Sequence, residues 1–394
     1  MSLSQGRPEC PVCGDSRLVE VLRQWDVPVH QNLVLATRSA ALSITRGDLD
    51  MCACERCGFV YNRAFDASKL SYGPQYENTQ LSSPAFQNYA SELVRHMVDE
   101  RHVRDATIVE VGCGKGAFLR ALVTAAGANN SGVGFDPSFV GPDVELDGRL
   151  RFERRFYDAT CTGVAADVVV CRHVIEHVTD PVDLLQAIHT ALQGRIDARL
   201  FLETPSAEWI LRNTVISDLF YEHCSLFTAQ ALASACGRAG FAVQATRPVF
   251  GEQYVWLEAG NGPAGHISFE PGGIAELGRQ FASAHASQVE TWQARIKDLV
   301  RTQRLAIWGA GAKGVTFANL LDPRAQYFAC VVDVNPAKQG SYLAGTGHSI
   351  VAPNELGDHG VTCVVVLNPN YRLEVQAELA SLRLSVDILD LGIR

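Results

Sequence analysis

The stretch "ATIVEVGCGKGAFLRALVTAA", residues 106–126, decides the fold that the sequence predicts. A short apolar run predicts a buried β-strand, the three glycines predict a tight turn, and the apolar residues that follow recur with the period of an α-helix. Further strand signals follow in "NSGVGFD" (130–136), "AADVVVCRHVIEHVTDP" (165–181) and "ARLFLETP" (198–205). Strands that alternate with helices predict an α/β fold with a doubly wound parallel sheet, whose ligand lies at the carboxyl ends of the strands.

The same pattern begins again towards the C-terminus. "RLAIWGAGAKGVTFANLL" (304–321) predicts a strand, a glycine turn and a helix, and "FACVVDVNP" (328–336) and "VTCVVVLNP" (361–369) predict further strands. A segment rich in glycine and proline around residues 259–273 makes a plausible boundary before this unit. The C-terminal part is therefore predicted to be a second, smaller α/β domain of Rossmann-like type.

Paired cysteines mark the N-terminal part of the chain. "CPVCG" (10–14) and "CACERCG" (52–58) each contain a C-x-x-C-G knuckle that supplies two thiolates, and Cys52 is left over. Four thiolates satisfy tetrahedral Zn²⁺, and a closed set of four indicates a structural site. The alternative is that these are simply buried cysteines. The predicted zinc ligands are Cys10, Cys13, Cys54 and Cys57.

The predicted organisation is a small zinc-binding module at residues 1–80, a doubly wound α/β domain at 81–265 and a Rossmann-like α/β domain at 266–394. A chain of 394 residues is too long for one compact core, which agrees with several domains.

Composition excludes several classes of function. The net charge of −9 leaves no basic footprint for nucleic acid. No apolar run approaches the ~20 residues that a membrane span needs, and the N-terminal residues do not resemble a signal peptide. The twelve cysteines are scattered through a long chain and are best explained as reduced thiols. These features predict a cytoplasmic protein without a nucleic-acid or membrane partner; they do not indicate its oligomeric state.

The first glycine turn identifies a cofactor by resemblance. Glycine-rich turns between strand and helix bind dinucleotides, S-adenosylmethionine or phosphates, but the G-x-G-x-x-G spacing typical of NAD sites is absent from residues 112–116. Glu110 precedes the glycines, and Asp136 follows at the end of the next strand, where an acidic side chain can hold ribose hydroxyls. This pattern closely resembles motif I of class I S-adenosylmethionine-dependent methyltransferases. The resemblance assigns the cofactor to Glu110, Gly112, Gly114, Gly116 and Asp136, with Tyr157 and Asp158 near the adenine.

The second glycine turn, residues 309–314, has closer to dinucleotide spacing, and Lys313 adds a positive charge at a helix N-terminus. One interpretation is a tight turn without a ligand. The other is a docking site for the diphosphate of a nucleotide-linked substrate, which Asp333, Asn335 and Lys338 would also face.

The whole chain resembles bacterial nucleotide-sugar C-methyltransferases, in which a two-knuckle zinc module, a class I methyltransferase core and a "GAGAKG…DVNPAKQG" domain follow one another. The resemblance implies methyl transfer from S-adenosylmethionine to a ring carbon of a nucleotide-linked keto-deoxysugar, by α-deprotonation and attack of the enolate on the methyl group. It also implies that the sugar lies between the central and C-terminal domains. Two alternatives stay open: an O- or N-methyltransferase of a nucleotide sugar or small natural product, and a non-catalytic binding scaffold.

The resemblance gives roles to the stretch "DLFYEHCSLFTAQ", residues 218–230. His223 is the candidate general base, because an imidazole has a pKa near the operating pH. Glu222 is expected to orient or polarise a neighbouring group in the site. His177 is expected to donate a hydrogen bond to the developing enolate oxygen. Tyr76 matches a tyrosine that lies near the substrate in the family. In the family a Tyr-x-Glu-His element lies around the sugar; its Glu-His pair matches Glu222 and His223, and its tyrosine falls on Phe220.

Tyr221, next to Phe220, is kept as a candidate catalytic residue, although one step along a strand turns a side chain to the opposite face. The structural alternatives are a helix cap for the Glu222–His223 pair and a surface turn for His177. His173 is interpreted as structural or close to the cofactor. Glu203 and Tyr254 are further residues that could line the cleft.

Overall fold

A computed structural model describes residues 8–161, 163–263, 265 and 273–391 of the chain. The N-terminal region contains a small antiparallel sheet and one short helix. Its elements are β1 (Leu18–Pro28), α1 (Arg38–Leu42), β2 (Arg46–Cys54) and β3 (Val60–Asn62). The two strand-to-loop segments that carry the cysteine knuckles meet at one end of this sheet, because β1 pairs with β2 from Leu18 opposite Cys54.

The central region forms an eight-stranded sheet in the order β11-β12-β9-β8-β4-β5-β7-β6. Its elements are α2 (Pro84–Arg95), β4 (Thr107–Val111), α3 (Ala117–Thr124), β5 (Ser131–Phe135), β6 (Val144–Glu145), β7 (Leu150–Glu153), β8 (Val168–Arg172), α4 (Pro181–Ala191), β9 (Arg199–Pro205), α5 (Ala207–Arg212), β10 (Ser225–Leu226), α6 (Ala229–Ala239), β11 (Ala242–Val249) and β12 (Tyr254–Gly260). β4 pairs in parallel with β5 and β8, and β8 pairs in parallel with β9. The predicted parallel α/β core is therefore confirmed, and β12 and β11 extend it with antiparallel pairing.

The C-terminal region forms a parallel sheet in the order β15-β14-β13-β16-β17, with helices beside it. Its elements are α7 (Gly273–Leu299), β13 (Leu305–Trp308), α8 (Ala312–Leu321), β14 (Phe328–Val332), β15 (Ile350–Val351), β16 (Cys363–Val366), α9 (Arg372–Ser381) and β17 (Asp387–Asp390). The apolar strands β13 and β16 are buried on both faces, as expected for a parallel sheet covered by helices. The predicted second α/β unit is present.

The N-terminal sheet is completed by residues from outside the predicted 1–80 module. β10 pairs with β3, with Ser225 opposite Tyr61. One apolar core then joins three parts of the chain, with Leu49, Leu226 and Phe281 among its fully buried members. The N-terminal region therefore shares a β-sheet with the central region, and all three regions share one apolar core. Residues 266–272, which adjoin the predicted domain boundary at 265/266, lie outside the described residues. So do residues 1–7, part of the N-terminal stretch that does not resemble a signal peptide.

Within the described residues, the helices are too short or too polar to cross a lipid bilayer.

Candidate active site

The glycine turn after β4 bends so that its backbone is exposed at the carboxyl end of the sheet. Gly112 has φ +68°, and a Cβ there would lie 2.1 Å from Cγ2 of Val174, so this position admits only glycine. Gly114 has φ +54°, but an added Cβ would meet no heavy atom within 4 Å. Gly116 caps α3 in the left-handed conformation at φ +77°. The turn therefore presents a bare backbone at Gly114 to open space.

Asp136, at the end of β5, faces this turn. Its Oδ2 accepts a hydrogen bond from the Gly114 backbone N–H at 2.8 Å. Its Oδ1 accepts hydrogen bonds from the backbone N–H and the hydroxyl of Ser138, at 2.7 and 2.6 Å. A carboxylate oxygen has two acceptor sites, so Oδ2 keeps one for a further hydroxyl. This arrangement fits a ribose beside the bare Gly114 backbone, and S-adenosylmethionine, when bound, would supply an electrophilic methyl group.

Other residues predicted for the cofactor have different surroundings. Glu110 is buried beneath the turn and accepts the Leu119 backbone N–H at 3.1 Å, and burial raises its pKa to about 8. It therefore ties the first turn of α3 to β4 rather than facing open space. Tyr157 is buried with its ring edge-on to Phe135 at 5.2 Å between centroids. The Asp158 side chain accepts hydrogen bonds from its own loop, at Thr160.

A cavity of about 270 Å³ lies between the central and C-terminal regions. Its lining combines the predicted catalytic histidines with the second glycine turn. Among the lining residues are Tyr76, Glu176, His177, Phe220, His223, Tyr254, Gly309, Gly311, Lys313, Asp333, Asn335 and Lys338. Tyr254, which sequence reasoning left undecided, is therefore part of this cavity.

The two candidate histidines lie against each other in this cavity. The ring centroids of His177 and His223 are 4.8 Å apart, with the rings nearly perpendicular. Phe220 packs on His223 with centroids 4.0 Å apart. Nδ1 of His223 is buried without a hydrogen-bond partner, and burial holds the pKa of this imidazole well below its ordinary value. His223 is therefore neutral at neutral pH, with a lone pair able to accept a proton.

Tyr72 lies next to the cavity residue His177, and sequence reasoning missed it. Its hydroxyl lies 3.4 Å from Nδ1 of His177, and its ring contacts Tyr76 edge-on at 4.9 Å between centroids. It lies four residues before Tyr76 in the segment "SYGPQYENT" (71–79), and this second nearby tyrosine was the signal that the sequence offered.

Glu222 is fully buried and held by the N-terminal region. Its Oε1 lies 3.1 Å from Nδ1 of His30, and its Oε2 accepts the Gln31 backbone N–H at 3.1 Å. Tyr76 is also buried and interacts with Glu222, and burial raises the pKa of its phenol. The Glu222 carboxylate thus has partners in two loops of the N-terminal region, one of which carries Tyr76.

Tyr221 is turned away from the cavity. Its hydroxyl accepts the Asp66 backbone N–H at 2.9 Å, and its ring packs on Phe65. It is fully buried, and the cavity lining includes Phe220 instead. The structure therefore places Tyr221 outside the cavity, whereas sequence reasoning kept it among the catalytic candidates, because the backbone turn sends adjacent side chains in opposite directions.

The second glycine turn belongs to the same cavity. Gly314 admits no side chain, because a Cβ there would lie 1.9 Å from the Gly309 carbonyl oxygen. Lys313 forms an ion pair with Asp218 and lies over the Trp209 ring. Nζ of Lys338 donates to Asn32 Oδ1 at 3.2 Å and to a backbone carbonyl at 3.3 Å. Two of its three donors are therefore used within the described residues.

Asp333 and Asn335 shape this turn. Asp333 Oδ2 accepts the Ala310 backbone N–H at 2.8 Å, and its Oδ1 accepts the Asn335 backbone N–H at 2.8 Å. The Asn335 amide donates to Glu77 Oε1 at 3.2 Å. Both residues line the cavity, but their hydrogen bonds are largely internal.

A buried charge network behind the histidines was not predicted. Glu203 binds Arg172 Nε at 2.6 Å and Tyr89 hydroxyl at 2.9 Å, and lies 2.9 Å from Nε2 of His173. Burial alone would lower the pKa of His173, but the carboxylates of Glu203 and Glu176 outweigh it and raise the pKa to about 9. His173 is therefore cationic at neutral pH. Glu203 supports the loop after β8 that carries His177.

A lysine links the two halves of the site. Nζ of Lys115, within the first glycine turn, donates to the Ser138 carbonyl at 2.9 Å and to the Tyr76 carbonyl at 3.4 Å. The backbone of Tyr76, which lines the cavity, is therefore tied to the glycine turn after β4.

The four predicted zinc ligands come together. Sγ atoms of Cys10 and Cys57, and of Cys13 and Cys54, are 3.5 Å apart. All four sulfurs lie within 4.8 Å of one another. A tetrahedral ion with ~2.3 Å zinc–sulfur bonds separates its sulfurs by roughly 3.8 Å, so the donor set fits Zn²⁺. Cys52 is outside the cluster and its thiol contacts the Tyr61 carbonyl.

Two family models match the chain. Residues 85–246 match a methyltransferase domain, and residues 277–385 match the C-methyltransferase C-terminal domain. The central region is therefore an S-adenosylmethionine-dependent methyltransferase domain, and the region after it is similar to the C-terminal domain of C-methyltransferases.

Individual relatives are more distant. The mitochondrial ubiquinone biosynthesis O-methyltransferase of Schizosaccharomyces pombe is 30% identical over 116 residues, which is 28% of this chain and 42% of that protein. The chain thus spans less than half the length of this curated relative.

Among solved structures, an aminoriboflavin dimethyltransferase from Streptomyces davawensis is 22% identical with a TM-score of 0.36, covering 46% of this chain and 54% of that one. A magnesium protoporphyrin IX methyltransferase from Synechocystis is 20% identical with a TM-score of 0.35, covering 47% and 88%.

Proposed function

We propose that this S-adenosylmethionine-dependent methyltransferase domain and its C-terminal partner form a C-methyltransferase that acts on a nucleotide-linked keto-deoxysugar. The observation that carries the proposal is the single cavity that joins His177 and His223 to the glycine turn and lysines of the C-terminal domain. A substrate with a reacting ring at one end and a charged diphosphate at the other matches such a lining.

In this proposal, His223 removes the proton from the carbon next to the ketone. Its buried Nδ1 lacks a hydrogen-bond partner, so a lone pair there is free to accept the proton. Burial lowers the pKa of this imidazole, so the ring is neutral but is a weaker base than an exposed histidine. Because Phe220 packs on this ring without offering a hydrogen bond, it holds the imidazole in place and leaves its lone pair unused.

The negative charge that develops on the ketone oxygen needs a donor. His177 lies against His223, and the hydroxyl of Tyr72 is near its Nδ1, so His177 is the proposed donor to the enolate oxygen. The Glu222 carboxylate interacts with Tyr76. We propose that Tyr76 contacts the sugar.

The nucleotide end is proposed to bind the C-terminal domain. The helix N-terminus at Ala312 favours an anion, and the cation of Lys338 adds to it. Because Lys313 is already paired with Asp218, we propose that it contributes less to phosphate binding than Lys338 does. We propose that Asp333 positions the second glycine turn through Ala310, and that Asn335 positions the loop that carries Glu77.

We also propose that the four-cysteine cluster holds one structural Zn²⁺. Its role would be to fix the N-terminal region, which supplies His30 and Tyr76 to the site, and the closed set of four thiolates leaves no position for a substrate.

Isotope loss tests the reaction. A keto-deoxysugar nucleotide deuterated at the carbon α to the ketone is turned over with S-adenosylmethionine, and product is analysed by mass spectrometry. C-methylation predicts loss of one deuterium for each methyl group gained, because the proton on the accepting carbon must leave. Retention of deuterium in a methylated product would count against the proposal.

The identity with the ubiquinone biosynthesis O-methyltransferase favours O-methylation as a second candidate. A hydroxyl acceptor also needs a base, but it has no enolate to stabilise and no α-hydrogen to lose. The same isotope measurement therefore separates the two candidates, and a methyl group found on oxygen by fragmentation would establish the second.

A further inference from the structure

Three side chains at the histidine end of the cavity have the chemistry of metal ligands as well as of proton carriers. Ligand atoms of Glu176, His177 and His223 all lie within 4.8 Å of one another, and all three residues line the cavity. Together they offer one carboxylate oxygen and two imidazole nitrogens. Such a set binds divalent first-row transition metals and leaves coordination positions open.

Two atoms of this group lack a hydrogen-bond partner among the described residues. Oε1 of Glu176 and Nδ1 of His223 are buried without a hydrogen bond. Glu176 is 0% exposed, and its other oxygen accepts a hydrogen bond from the Thr204 hydroxyl at 3.0 Å. Leaving a carboxylate oxygen buried without a hydrogen bond is costly, and an ion is one established way of satisfying it.

We propose that Glu176, His177 and His223 bind one divalent transition-metal ion, such as Ni²⁺, Co²⁺ or Zn²⁺, at a site separate from the cysteine cluster. Ligands of a tetrahedral ion with ~2.1 Å bonds are roughly 3.4 Å apart, so small side-chain rotations would bring these three into range. The binding proposal is independent of the reaction assigned to the protein.

The consequence for catalysis rests on the proposed function. A neutral imidazole has one lone pair, so His223 cannot bind a metal and accept a proton at the same time. Metal and substrate proton therefore compete for His223, and the bound ion inhibits methyl transfer.

His173 is the competing partner for Glu176. Its Nδ1 lies 3.7 Å from Glu176 Oε1, beyond a hydrogen bond but close enough for a cationic imidazole to balance the carboxylate charge. If that balance is sufficient, the cluster will not take up a metal ion, which is the outcome that overturns the proposal.

Calorimetric titration of the full-length, zinc-loaded protein with Ni²⁺ tests the site. We expect one Ni²⁺ per chain beyond the zinc, and affinity weakened at least about tenfold in both Glu176→Gln and His223→Ala. His102→Asn removes an exposed imidazole at a left-handed position that asparagine tolerates, so this control should bind like the unaltered protein. No nickel beyond the zinc, or undiminished binding in both site variants, contradicts the proposal.

X-ray absorption at the nickel edge reads the ligands without any substitution. Two imidazoles and an oxygen-containing shell support the proposal, whereas sulfur in the shell would mean that nickel entered the cysteine cluster and would overturn it. Methyl transfer measured in parallel separates the two hypotheses. Nickel bound through two imidazoles with unchanged turnover would keep the metal site and remove His223 from the proposed role of base.

Discussion

Nδ1 of His30 lies 3.1 Å from Oε1 of Glu222, although 192 positions separate the two residues in the chain. The Ser71 backbone N–H donates to the other nitrogen, Nε2, at 3.1 Å. Because a backbone N–H can only donate, the neutral ring carries its proton on Nδ1 and donates it to Glu222. A histidine from the N-terminal region therefore orients the carboxylate beside the proposed base.

His30 should act as a positioning residue. We expect His30→Ala to lower kcat by about 10- to 100-fold, because Glu222 loses one of its side-chain donors and is left with an unsatisfied buried oxygen. His30→Asn, whose amide can replace the Nδ1 donor, should restore most of the rate. Affinity for S-adenosylhomocysteine is the control and should not change. Equal rates for His30→Ala and the unaltered protein would remove this role.

His223→Ala should lower methyl transfer by about 10²-fold or more, because the proposed general base is lost. The measurement is the single-turnover rate with saturating substrates, and α-deuterium exchange into solvent should fall in parallel. His102→Asn serves as the exposed-histidine control. A variant that methylates at the normal rate would sink the assignment of the base.

Tyr221→Phe should behave in the opposite way. Its hydroxyl bonds to the Asp66 backbone, so removal should cost about 1 kcal/mol of unfolding free energy and leave kcat unchanged. Denaturant unfolding and steady-state kinetics measure the two effects. A large loss of kcat without loss of stability would return this tyrosine to the catalytic group.

Gly114→Ala should weaken cofactor binding selectively. Both Gly114 and Gly148 have positive φ and open space at Cβ, so alanine at either should cost about 1–2 kcal/mol of backbone strain. Only Gly114→Ala should weaken S-adenosylhomocysteine by at least about tenfold, since only this turn faces the proposed cofactor. Calorimetry checks the affinity. Equal weakening in Gly148→Ala would point to general strain instead.

Binding of a nucleoside diphosphate should depend on the charge of Lys338. Burial lowers the pKa of this amine, and nearby acidic groups, Asp333 first among them, oppose that effect only in part. The ammonium is charged below its pKa, so affinity for uridine or thymidine diphosphate should be highest at lower pH. It should fall as pH rises, starting below the ~10.4 of an ordinary lysine.

Fluorescence or calorimetric titration across this pH range measures the loss. Lys338→Gln should bind weakly at every pH, and Lys338→Arg should keep its affinity to higher pH. A pH profile identical in Lys338→Gln and the unaltered protein would contradict this role.

The cysteine cluster should hold about one zinc per chain. Cys54→Ser should lose the metal and lower the unfolding temperature, because the sheet that β3 and β10 share would lose its fixed end. Cys52→Ser should keep the metal, since its sulfur lies outside the cluster. Elemental analysis and thermal unfolding check both. A zinc content that does not change in Cys54→Ser would disprove the ligand set.

The sequence by itself determined the local features. The apolar run before Gly112 and the one before Gly309 each had to become a buried parallel strand, because strand periodicity and glycine turns act over a few neighbouring residues. Each C-x-x-C-G knuckle likewise set two thiolates side by side through short spacing, and the pairing of β1 with β2 brings the two knuckles together.

Only the tertiary structure decided which distant residues are in contact. It paired β3 with β10 and brought His30 to Glu222. It also placed the His177–His223 pair and Lys338 around the same cavity. It also turned Phe220 into the cavity and Tyr221 away from it. Contacts between distant segments depend on the packing of whole elements, and the direction of a side chain in an irregular turn depends on backbone angles that a one-residue sequence pattern does not encode.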